Sequence, residues 1–152
     1  MAVRHRMNPQ RAMSPALEAA VGVLVAADHL QQAFSEICER HGITTDQYKV
    51  LRILREAPGG YARGEVAERC IFSRSPDVTR MIDRLVRQGF AKRAPDQADR
   101  RCSIATITRT GRALLHRLDP EITAAARRLT QPLTGPQLTQ LSRLTEALAP
   151  ED

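Results

Sequence analysis

Arg80 and Arg84 stand one helical turn apart, and a rigid helix presents two such guanidinium groups on the same side. The planar guanidinium fork binds phosphate and base edges bidentately, so this spacing suits readout of a polyanion. Ser73, Arg74, Ser75 and Asp77 come just ahead and Thr79 sits beside the pair. Hydroxyls and free backbone N–H groups at a helix entrance also suit phosphate. A second cluster follows in Arg93 and in Asp99-Arg100-Arg101. The competing reading pairs Arg80, Arg84 and Arg87 with Asp77 and Asp83 at helical spacing, as intrahelical salt bridges. The distribution of charge bears on the choice. The chain carries a formal charge of +6, and the stretch Gly60–Arg112 holds 12 basic and 6 acidic residues, while the remainder cancels at 11 and 11. The whole excess therefore sits in one third of the chain. That points to a localised polyanion-binding face, although a solvated basic surface gives the same count.

Other chemistry finds little support. His5, His29, His41 and His116 are scattered without a paired nucleophile or acid, and Asp28-His29 reads as a surface or interface pair, so no enzyme is indicated. Cys38, Cys70 and Cys102 form no Cys-x-x-Cys pair, which argues against zinc and against a disulfide framework. No metal or cofactor is expected. Cys102 adjoins Arg101, and a neighbouring cation favours the thiolate, so thiol-based redox sensing stays open as an alternative. The apolar run Ala19–Ala27 is too short to span a bilayer and no targeting segment precedes it, so the chain reads as a soluble cytoplasmic protein.

The elements that must position the arginines are mostly helical. Of the 152 residues 42% are hydrophobic but only 3% aromatic, with no Trp, so the core must be built from Leu, Val, Ile and Ala. Residues 1–14 read as a flexible basic arm. Pro15 opens a long helix whose stripe runs Leu17, Val21, Leu24, Asp28, Gln31, Phe34, Cys38, and Gly42 stops it. Thr44-x-x-Gln47 fits a capping box for a second helix carrying Tyr48, Leu51 and Leu54. A short third helix with Val66 begins poorly, because Ala62 cannot cap and Gly64 weakens the first turn. The fourth is well marked: Ser75 is an N-cap, Pro76 takes the first helical position, and Gly89 closes it. Its apolar face is Val78, Met81, Ile82, Leu85 and Val86, opposite the arginines. Phe90–Arg93 and Cys102–Thr108 then read as two strands around a polar loop, a basic hairpin directly after a basic helix. Two further helices follow, one from Thr110 with Pro120 inside it, and one from Gly135-Pro136 carrying Leu138, Leu141, Leu144 and Leu148.

These residues resemble the multiple-antibiotic-resistance regulator (MarR) family of bacterial transcription factors. The resemblance runs from Ile43 to Leu115 through Thr45-x-x-Tyr48-x-Val50-Leu51-x-x-Leu54, Ser75-x-x-Val78-Thr79-Arg80-x-Ile82-Asp83-x-Leu85-x-x-x-Gly89-Phe90, Asp96-x-x-Asp99-Arg100-Arg101 and Ile107-Thr108-x-x-Gly111-Arg112. It implies a mainly α fold with a small β-hairpin wing: a winged helix-turn-helix over 43–112, flanked by dimerisation helices over 15–42 and 113–152. It also implies a homodimer on a pseudo-palindromic double-stranded DNA operator, often as a repressor, and often answering to a small aromatic or phenolic effector. Ser73, Arg74, Ser75, Asp77, Thr79, Arg80 and Arg84 become DNA-binding residues of the recognition helix. Arg93, Asp99, Arg100 and Arg101 become those of the wing, with Arg101 at the minor groove braced by Asp99. Cys38 does not match the start-of-helix cysteine of the hydroperoxide-sensing branch. A winged-helix module that binds protein, with an incidental basic face, is the other alternative.

Overall fold

In the structure, a computed structural model, residues 14–69, 78–95 and 103–148 are described. Ser14 caps the first helix, α1 (Pro15–Arg40), its Oγ accepting from the Leu17 N–H at 3.3 Å with Pro15 in the first turn. The helix ends in a Schellman turn: Gly42 takes φ +75°, the Ile43 N–H reaches the Cys38 carbonyl and the Gly42 N–H that of Glu39. Ile43 then drops into the core. Helix α2 (Thr45–Glu56) starts with the full capping box, the Gln47 N–H donating to Thr44 Oγ1 and the Thr44 N–H to Gln47 Oε1.

The connection to the third helix holds a strand that the residue pattern does not announce. Tyr61–Ala62 forms β1, and Gly60 before it takes φ +84° with Ala105, Thr106 and Ile104 crowding the place where a Cβ would stand. Helix α3 (Arg63–Arg69) solves the problem of Ala62 in another way. Glu65 reaches back and accepts from the Ala62 N–H at 2.7 Å, the carboxylate half of a capping box without the hydroxyl half. Helix α4 is described from Val78 to Arg87 and ends in a second Schellman turn at Gly89, φ +77°.

Strands β2 (Ala91–Pro95) and β3 (Ser103–Ile107) pair antiparallel, and with β1 they make a three-stranded sheet in the order β1-β3-β2. The expected hairpin is thus the larger part of a sheet whose third strand closes on Ala105 from the other side. Thr108 caps α5 (Arg109–Thr130), which continues through Pro120, and Thr134 caps α6 (Gly135–Leu148) with Gln137 answering at the third position. Gly111 is needed where α5 crosses the end of α4, since a Cβ there would strike the Phe90 carbonyl and Ile107.

The chain divides into two compact units. One spans Phe34–Ile122 and holds the core residues Leu51, Leu54, Val66, Ile82, Leu85, Leu114, Leu115 and Leu118, all out of solvent. The other comprises the described residues 14–33 and 123–148, and α6 within it buries no residue at all.

Candidate nucleic-acid interface

Helix α4 is fixed from behind and open in front. Val78, Ile82 and Leu85 are buried, while Met81 and Val86, expected on the same apolar face, are only half-buried. Arg80, Arg84 and Arg87 are exposed along the opposite side. The period of 3.6 residues forces this division, because apolar positions at 78, 82 and 85 leave 80, 84 and 87 on the other face.

Polar contacts lock the helix at both ends. At its C-terminus the Gln88 side chain donates to the Gly42 carbonyl at 3.0 Å and accepts from buried Gln47 at 2.9 Å. The capping box of α2 therefore extends, through one amide, to the end of α4. At the other end Arg63 from α3 approaches Thr79 Oγ1 at 3.5 Å. Arg93 from β2 pairs with Asp83 at 3.1 Å and reaches the Thr79 carbonyl at 3.4 Å. Asp83 thus meets a strand residue as well as its own helix. A cavity of about 480 Å³ opens beside the C-terminal end of α4, lined by Glu39, Thr44, Gln47, Arg84, Arg87 and Gln88 among others.

Two acidic residues on either side of Pro120 secure α2 and the end of α1. Asp119 accepts from the Tyr48 hydroxyl at 2.8 Å and pairs with Arg55, and Glu121 takes Arg40 at 2.6 Å and His41 at 2.8 Å. Burial pushes the Asp119 carboxyl up. The hydrogen bonds from Arg55 and Tyr48, with the charges of Arg55 and Arg52, outweigh it and hold the group below its ordinary range. Burial, then the hydrogen bond and charge of Asp119, push the Tyr48 hydroxyl up to about 12. Hydrogen bonds from His41 first and Arg40 second keep Glu121 low.

Of the residues singled out in the sequence, Thr79, Arg80, Arg84 and Arg93 are brought together on and against α4. Ser73, Arg74, Ser75, Asp77, Asp99, Arg100 and Arg101 lie outside the described residues, as do Cys70 and Cys102. Cys38 is fully buried, and burial pushes its thiol up, away from the reactive thiolate. No group of three or more metal-ligating side chains gathers among the described residues, and no helix there is long and apolar enough to cross a membrane. Arg63 and Gln88 are the contributors that the residue pattern missed. Thr44-x-x-Gln47 signalled the cap, but nothing in it signalled the continuation to Gln88.

The sequence model of the MarR family matches residues 43–103, which hold α2 to α4, β1 and β2 and end at the first residue of β3. A solved MarR transcription factor from Planctomyces limnophilus is 30% identical, covers 90% of this chain and 99% of its own, and superposes with a TM-score of 0.69. The chain belongs to the MarR family. It is therefore a transcription regulator and not an enzyme. Within the family it is also similar to the homoprotocatechuate degradative operon repressor of Escherichia coli, at 29% identity over 126 residues, or 83% of this chain and 84% of that protein. Bordetella bronchiseptica BpsR, whose DNA binding is regulated by 6-hydroxynicotinic acid, shares the MarR fold with a TM-score of 0.80 at 20% identity, over 93% of this chain and all of BpsR.

Proposed function

We propose that this MarR-family chain is a homodimeric repressor that reads a pseudo-palindromic duplex operator and releases it on binding a small aromatic carboxylic acid. The observation that carries the reading is the two-sided helix α4, anchored by Val78, Ile82 and Leu85 and presenting Arg80 and Arg84 one turn apart on its exposed face. Such a helix fits a major groove about 12 Å wide. Ser73, Arg74, Ser75, Asp77 and Thr79 serve its entrance, and Asp99, Arg100 and Arg101 serve the loop of the hairpin as the wing. The winged helix spans 43–112 in this reading, and the helices on either side (15–42 and 113–152) join two copies.

Exposed Leu17, Leu24, Leu138, Leu141, Leu144 and Leu148 support the pairing, since a monomer gains nothing by leaving them in water. The effector class is supported by the relatives. One represses an operon for degrading homoprotocatechuate and the other answers to 6-hydroxynicotinic acid, and both compounds are hydroxylated aromatic carboxylic acids. Arg84 and Arg87 beside the 480 Å³ cavity offer guanidinium partners to such a carboxylate.

Selection of the full chain against a random duplex pool, followed by sequencing, tests the reading. Two half-sites about 10 base pairs apart, in inverted orientation, are the expected result. Recovery of no enriched sequence, or of a single unpaired half-site, would overturn it.

A further inference from the structure

Arg93 is grouped by the sequence with the DNA-contacting residues of the hairpin, but its geometry supports another role. The side-chain period of a strand is two, so Arg93 shares a face of β2 with Ala91, which is buried, while Lys92 points to the other side. On that inner face its guanidinium lies along one turn of α4: Nη2 is 3.1 Å from Asp83 Oδ1 and 3.4 Å from the Thr79 carbonyl oxygen. Both acceptors belong to the helix that carries Arg80 and Arg84. On the sheet side Arg93 is paired with Ala105 of β3, which pairs in turn with Tyr61 of β1. One side chain thus connects the central row of the sheet to the middle of the reading helix.

The pair contributes little to stability. Its side chains are 31% and 46% exposed, and exposed ion pairs are screened by water and salt. Its place bears instead on orientation, because β2 is an edge strand in the order β1-β3-β2 and in sequence leads into the segment that carries Asp99, Arg100 and Arg101. We propose that Arg93 is a positioning residue: through Asp83 and the Thr79 carbonyl it sets the hairpin stem against the reading helix, and it does not itself bind DNA. This rests on the reading of α4 as the DNA-contacting helix.

The experiment measures binding of the full-length protein, and of Asp83→Asn, Arg93→Gln and the double variant, to the duplex recovered by selection, across a range of salt. Charge alone makes Asp83→Asn bind more tightly, since it removes a negative group beside a phosphate-facing helix. Positioning makes it bind about tenfold more weakly, a change of about 1.4 kcal/mol. Arg93→Gln should weaken binding to a similar extent with the slope of log K against log[salt] unchanged, whereas loss of a phosphate contact lowers that slope by about 0.9. The double variant should be no worse than Arg93→Gln, because the two changes break one interaction. Thermal unfolding of each variant within a few degrees of the parent confirms that the readout concerns geometry and not folding. Tighter binding by Asp83→Asn, or a shallower salt slope for Arg93→Gln, overturns the positioning role while leaving the DNA-reading role standing. Failure of the unsubstituted protein to bind any duplex overturns both.

Discussion

The unit from Phe34 to Ile122 closes its own core, with Leu51, Leu54, Leu85 and Leu115 wholly out of solvent and the contacts of Asp119, Glu121, Gln88 and Arg93 described above made within it. The described segments outside it are also helical and richer in leucine, yet Leu24 remains 69% exposed and Leu148 70%. Both regions carry amphipathic stripes; only one of them has the opposing surfaces within the same chain to cover them. The difference fits the proposed division of work, with the first unit reading DNA and the second held for the other copy of the proposed homodimer.

Core truncation separates the two most sharply. Leu115→Ala should cost about 2–5 kcal/mol of unfolding free energy, because a cavity is left in a closed core. Leu144→Ala, at a position 57% exposed, should change the stability of the separated chain by less than about 0.5 kcal/mol. Denaturant unfolding measures both, and equal costs would erase the distinction. The second effect is on assembly: replacing Leu141 and Leu144 together by Glu should convert a dimer in sedimentation to a single chain while Phe34–Ile122 stays folded by circular dichroism. A third prediction addresses the reading unit. Arg84→Ala should weaken binding to the selected duplex by roughly 1–3 kcal/mol and relax preference at one base position without lowering the melting temperature.

The smallest effect comes from the Asp119 cluster. The Tyr48 proton is held more tightly in the folded chain than in the unfolded one, where the ordinary value is 10.0. Stability present below pH 10 is therefore lost as pH rises toward about 12. Asp119 works in the opposite direction: its folded value lies below the ordinary 3.8, so its contribution is present above pH 3.8 and lost as pH falls through the lowered value. Tyr48→Phe should cost about 1 kcal/mol near neutrality, as for one hydrogen bond, and should flatten the alkaline limb of the stability curve. An unchanged alkaline limb would remove Tyr48 from the account.

Local features of the sequence were legible because local chemistry produces them. Thr44 and Gln47 are three residues apart and form the box that their spacing predicts, and Gly42 and Gly89 stop their helices at positive φ. Strand β1 was not legible, since two residues carry no period; it exists because Gly60 can approach the Ala105 carbonyl. Asp119 and Glu121 found partners 64 to 81 residues away, a distance over which no spacing rule operates. At the interface the exposed face of Arg80 and Arg84 followed from helical period. The contacts of Arg93 did not, because they depend on which side of β2 faces α4. The stripe through Leu17 and Leu24 is apolar in the sequence and exposed in the fold, and a stripe does not say whether its cover lies in the same chain.

The most direct test of the central claim is binding of the full chain to the selected duplex by fluorescence anisotropy at increasing salt. Reading by a basic helix and hairpin predicts that log K falls linearly with log[salt], by about 0.9 for each phosphate neutralised. A flat profile, or no binding to duplex at any salt, would contradict it.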